Sequence, residues 1–151
     1  MKDKLLSKQG WVILLICIIS FFINNRVVVP DIMEARNMVT AREMVHDGNW
    51  LVPTMNGDLR LEKPPLPTWL TAVAEMISPD NLALQRAMAG FAAILLVAFF
   101  YLTAVQVMRN KRYAFISTIL LCTCYNIILM GRTASWDIYC HAFMMGAIYF
   151  L

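Results

Sequence analysis

Charge is what this sequence has least of. Only 15% of its 151 residues are Asp, Glu, Lys or Arg, while 60% are hydrophobic. A soluble domain carries about 25% charge and about 45–50% apolar residues, so an ordinary cytosolic globule is excluded. Disorder is excluded by the same imbalance, because low hydrophobicity is what keeps a chain unfolded. Histidine is limited to His46 and His141, and the cysteines are Cys17, Cys122, Cys124 and Cys140. All four cysteines fall inside apolar runs without a structural zinc spacing, so packing is the expected role for each. Cys140-His141 invites a metal reading, but a single His in a span more often packs or bonds a neighbouring helix. No small-x-small cleavage site follows the basic, apolar start, and residues 1–25 therefore read as an uncleaved anchor.

What is present comes in blocks. Gly10 to Asn25, Ala87 to Met108 and Tyr113 to Gly131 carry no charge, and Ile138 to Leu151 is apolar to the last residue. A membrane-spanning helix needs roughly 17–25 such residues. The expected fold is an all-α membrane protein with four transmembrane helices, at 10–29, 84–108, 113–130 and 138–151. The first reaches that length if Val27 to Val29 extend it past a snorkelling Arg26. The fourth reads as truncated, which makes the chain the expected N-terminal piece of a larger protein.

Basic residues set the orientation. Residues 1–9 hold Lys2, Lys4 and Lys8 against Asp3, and the turn 109–112 adds Arg109, Lys111 and Arg112. The segment 26–86 holds six basic and eight acidic residues. An N-terminus and a 109–112 turn in the cytoplasm leave the loop 30–80 and the turn 131–137 outside an inner (plasma) membrane. The loop is too long to be structureless. Ile32 to His46 has one apolar stripe at helical spacing (Ile32, Ala35, Met38, Val39, Ala41, Met44, Val45), as expected of an amphipathic helix lying apolar face down on the membrane. Met55-Asn56-Gly57-Asp58 signals a turn. Pro64, Pro65 and Pro67 argue against regular helix there, and Trp69 to Ile77 reads as a second surface helix.

Several loop residues carry a bland and a functional reading at once. Asp31 and Glu34 have the spacing of a helix cap, and the same spacing points both acids at one site. Glu62-Lys63-Pro64 is either a solvated turn or a lysine fixed to meet a lipid phosphate. Asp137 opens the fourth apolar run, where it suits the helix dipole or marks a site at the membrane edge. Arg132 is placed to partner Asp137 or an anionic ligand.

The loop as a whole is recognisable. Glu34-Ala35-Arg36, Ala41-Arg42-Glu43-Met44, Gly48-Asn49-Trp50-Leu51-Val52-Pro53, Asn56-Gly57 and Glu62-Lys63-Pro64-Pro65 occur in that order. Over roughly residues 26–80 they resemble the first outer loop of bacterial membrane glycosyltransferases of the GT-C fold. That family includes the lipid A aminoarabinose transferase and the protein O-mannosyltransferases. The resemblance implies a glycosyltransferase that moves a hexose or pentose from a polyprenyl-phosphate donor to a lipid or protein acceptor outside the membrane. It implies catalytic acids at Asp31, Glu34 and Asp137, and a substrate and phosphate set of Lys63, Glu62, Arg36 and Arg132. The family's usual Asp-Glu pair is Met33-Glu34 here, and the tyrosine that follows its arginine is Asn37. The clustered acids leave room for a divalent metal ion without requiring one. The competing class is a non-enzymatic polytopic protein such as a transporter fragment. Transporters place ionisable groups near the bilayer midplane, whereas the polar residues here gather at the outer edge.

Overall fold

The computed structural model describes residues 8–151. The expected cytoplasmic segment 1–9 lies largely outside the described residues. The chain forms α1 (Lys8–Phe22), α2 (Ile32–Asp47), β1 (Thr54–Met55), β2 (Asp58–Leu59), α3 (Pro65–Ile77), α4 (Leu82–Met108), α5 (Lys111–Cys122), α6 (Tyr125–Gly131) and α7 (Asp137–Phe150). The protein is mainly helical, as expected of its class, with one two-stranded antiparallel hairpin added.

Helix α4 is the axis. It packs against α1, α3, α5, α6 and α7. The seam is lined by small residues, including Ala89, Ala92 and Ala93, which let neighbouring helices approach closely. Gly131 shows how tight the approach is: a Cβ there would lie 2.7 Å from Phe21 and 2.9 Å from the Ala93 Cβ. Cys17 and Cys122 pack in this core, Sγ to Sγ 3.8 Å. Cys124 and Cys140 are exposed, which corrects the packing role expected for those two.

Among the described residues, Leu82–Met108 is the one helix long and apolar enough to cross a membrane unaided. The expected third span is broken: α5 and α6 meet at 64°. At the break Cys124 leaves helical geometry, with φ −66° and ψ 126°, while Thr123 Oγ1 donates to the carbonyls of Ile119 (3.0 Å) and Leu120 (3.2 Å) at the end of α5. Helix α1 stops at Phe22 instead of continuing through Val29, because the chain turns at Asn24, whose φ is 56°.

The outer elements differ from expectation in two instructive ways. Helix α3 begins at Pro65, within the proline cluster. The first turn of a helix has no intrahelical partners for its N–H groups, so prolines are tolerated there. Helix α2 spans the expected residues and buries Ala41 and Met44 of the expected stripe, but Glu34, Asn37 and Thr40 turn inward with them while Ile32 is 73% exposed. Polar partners on α3, α4 and the 131–136 turn select this face. Asn37 Nδ2 donates to Thr71 Oγ1 (3.0 Å) and the Ala134 carbonyl (2.8 Å), and its Oδ1 accepts from Thr68 Oγ1 (2.8 Å). A fully bonded polar group can be buried at little net cost.

Candidate functional site

The head of α2 is built on two carboxylates with separate duties. Asp31 caps the helix, its Oδ1 accepting the Glu34 N–H at 2.7 Å. Removing such a cap costs about 1 kcal/mol. Asp31→Ala is expected to lower stability by about that amount in denaturant titration while Asp31→Asn retains it; a loss above about 3 kcal/mol would mean that Asp31 does more than cap.

Glu34 is wholly buried. Both of its oxygens are taken by Arg86, from Nε at 2.6 Å and from Nη2 at 2.7 Å, and Oε1 also accepts the Ala134 N–H at 2.9 Å. Arg86 is 1% exposed and its Nη1 donates to the Asn25 carbonyl at 2.5 Å. This knot joins the end of α1, the head of α2, the start of α4 and the turn before α7. Arg132 belongs to the same framework. Its Nε donates to Asn25 Oδ1 at 3.1 Å and its Nη2 to the Ile23 carbonyl. Among the described residues it makes no ion pair with Asp137.

The hairpin delivers the cations. Asn56 (φ 56°) and Gly57 (φ 82°) form its turn, both in the left-handed region that Asn-Gly tolerates. Glu43 on α2 holds that turn, accepting from Thr54 Oγ1 at 2.7 Å, the Asn56 N–H at 2.5 Å and the Gly57 N–H at 3.4 Å. The Arg60 N–H closes the base on the Pro53 carbonyl at 2.8 Å. The Arg60 side chain runs inward and is 7% exposed, its Nη1 donating to Thr40 Oγ1 at 3.0 Å. Its guanidinium carbon lies 5.3 Å from the ring centroid of Trp136, and Lys63 Nζ lies 5.3 Å from the same centroid. Burial pulls the Arg60 guanidinium down from its ordinary pKa; Glu62 opposes that shift and Arg36 adds to it. Arg36, Arg60 and Glu62 line a cavity of about 190 Å³ with Met55, Asn56, Asp58 and Leu59.

Asp137 is the first residue of α7, directly after Trp136, and is exposed. Trp136 thus brings the Lys63 segment and the Asp137 segment together although they are far apart in sequence. Of the seven residues singled out, Lys63 lies over this tryptophan, Asp137 follows it in sequence, and Arg36 and Glu62 line a cavity together with Arg60. Asp31, Glu34 and Arg132 are engaged in structure. Among the described residues no three His, Cys, Asp or Glu side chains gather to hold a metal ion. Glu34, with both oxygens bound to Arg86, has none free for a metal ion. Sequence reasoning overlooked Arg86 and Glu43. Arg86, a charge just inside an otherwise apolar span, was the available signal.

Comparison with known proteins decides the family. The family described as Dolichyl-phosphate-mannose-protein mannosyltransferase matches residues 10–151. The chain belongs to this family. Two relatives named Undecaprenyl phosphate-alpha-4-amino-4-deoxy-L-arabinose arabinosyl transferase come from Pseudomonas savastanoi pv. phaseolicola and Shewanella sediminis. The first is 34% identical over 92 residues, 61% of this chain and 17% of the relative. The second is 31% identical over 108 residues, 72% of this chain and 19% of the relative. The chain therefore spans under a fifth of the length of these relatives. In the crystal structure of ArnT from Cupriavidus metallidurans bound to undecaprenyl phosphate, 27% of that chain overlays 95% of this one, with a TM-score of 0.76 at 21% identity. This mannosyltransferase-family chain shares that membrane-protein fold.

Proposed function

We propose that this chain carries the donor-phosphate site of a glycosyltransferase that takes a sugar from a polyprenyl-phosphate carrier and passes it to a lipid or protein acceptor. The observation that carries the reading is the pairing of Arg60 and Lys63 on Trp136, one residue from the exposed acid Asp137. Membership of the family supports the reaction class.

The chemistry follows from the charges. Breaking the sugar–phosphate bond leaves negative charge on the departing lipid phosphate. Lys63 and Arg60, with Arg36 at the cavity rim, stabilise that charge more in the transition state than in the ground state. Glu62 keeps the cluster from excess positive charge. The anomeric carbon becomes oxocarbenium-like, and Asp137 orients or deprotonates the incoming acceptor hydroxyl. Asp31 and Glu34 act from behind, one shaping the head of α2 and the other anchoring Arg86. Arg132 ties the turn before Asp137 to the end of α1.

The same reading keeps the four spans in an inner membrane, with the N-terminus cytoplasmic and the loop 30–80 outside. The charge distribution on either side of the apolar runs supports it. The transporter alternative has no observation in its favour.

Supplying the full-length protein with labelled undecaprenyl-phosphate sugars is expected to transfer label to an acceptor. General base catalysis contributes about 10²–10⁴-fold. Asp137→Asn is therefore expected to lower kcat by about that factor. A loss smaller than about fivefold would reduce Asp137 to the first residue of its helix.

A further inference from the structure

Trp136 has a role that the residues around it define. Its ring is 5% exposed and carries two cations at the same centroid distance, 5.3 Å. Two positive groups on one ring repel each other, so something must hold them there. Among the described residues neither Arg60 nor Lys63 has a carboxylate within ion-pair distance. Lys63 is exposed, in the irregular stretch between β2 and α3. Arg60 is anchored at Nη1, but its Nη2 is buried without a hydrogen-bond partner. What the two share is the indole ring. Its negative quadrupole attracts a cation by about 0.5–2 kcal/mol, most strongly where the pair is desolvated.

The ring is well mounted for this task. Trp136 precedes the first residue of α7. Two residues earlier, the Ala134 N–H donates to Glu34 and the Ala134 carbonyl accepts from Asn37. The buried Glu34–Arg86 knot thereby fixes the turn that presents the indole.

We propose that Trp136 is a positioning residue whose indole ring holds Arg60 and Lys63 as one preformed site for a phosphate monoester, at the residue that precedes Asp137. The inference rests on the reading that these two cations take the donor's phosphate. Preformation matters because the two side chains would otherwise have to be ordered, against their own repulsion, each time the anion binds.

The test uses the full-length protein with undecaprenyl phosphate as the probe. Site-specific replacement of Trp136 by tetrafluorotryptophan keeps the shape and the N–H but removes the negative face. The dissociation constant is expected to rise about fivefold or more, with an unchanged melting temperature. Trp136→Leu is expected to weaken binding by about tenfold or more, and Trp136→Phe to fall between. Undecaprenol, which lacks the phosphate, is expected to bind equally well to all of these. A fluorinated protein that binds within twofold of the parent overturns the inference. Lys63→Ala separates the two levels of the argument. If it weakens binding and fluorination does not, the tryptophan role alone fails. If Lys63→Ala also leaves binding unchanged, the phosphate reading fails and takes this inference with it.

Discussion

Lys63→Ala is expected to lower kcat for sugar transfer by about 10²–10³-fold, the range for removing one preorganised group that meets charge developing in a transition state. The physical reason is differential binding. Lys63 sits over Trp136, the residue before Asp137, and in the proposed reaction the phosphate it meets gains its full charge only as the sugar leaves. The side chain is exposed, so its loss removes little beyond its contact with Trp136, and the variant should insert and melt close to the parent. Lys63→Arg should recover part of the rate, since it restores the charge with a different shape. Turnover assays on purified full-length protein, with membrane insertion checked in parallel, measure this directly. Normal turnover by Lys63→Ala would end the phosphate role of this lysine.

The second large effect is on folding. Glu34→Ala leaves Arg86 as a buried cation without its carboxylate. Removing one partner of a buried, well-bonded ion pair costs about 3–5 kcal/mol. The geometry here belongs at the upper end, because both Glu34 oxygens are bonded, Arg86 is 1% exposed, and the pair ties four segments together. Replacing both members, as Glu34→Leu with Arg86→Met, should return much of the lost stability, since two apolar groups leave no charge without a partner. Denaturant or thermal unfolding in detergent measures the difference. This result also separates two roles for Glu34. A structural glutamate loses stability and activity together, whereas a catalytic one would lose turnover while melting normally. Stability within about 1 kcal/mol of the parent would overturn the structural assignment.

The outcome for Glu34 shows where sequence reasoning stops. Asp31 and Glu34 have the spacing of a cap, and Asp31 does cap. The same spacing offered both acids to a shared site, but the fold turned Glu34 inward to Arg86. Nothing local to residues 31–34 encodes that, because the partner lies on α4, 52 positions away. The polar half of the face that α2 buries was missed for the same reason, although Ala41 and Met44 of the apolar stripe are buried as expected. Hydrophobic periodicity ranks faces by apolarity, whereas this interface is won by bonded polar groups on Asn37 and Glu34. The proline cluster was misread for a different reason: a count of prolines does not say that they fall in the first turn, where their missing N–H groups do no harm. Lys63 and Asp137 were singled out from type, context and family resemblance. Trp136, which meets Lys63 in space, was visible only as the neighbour of Asp137.

The amino-acid order alone settled the apolar runs and the Asn-Gly turn, and it offered a cap at the head of α2. These are short-range properties, set by side-chain chemistry and backbone preference within a few residues. Tertiary structure decided which charges are buried, which face of α2 turns inward, and that Arg60 and Lys63 share one indole ring. Those outcomes depend on pairings between segments distant along the chain, where the desolvation of a charged group is offset only if its partner arrives from elsewhere in the fold.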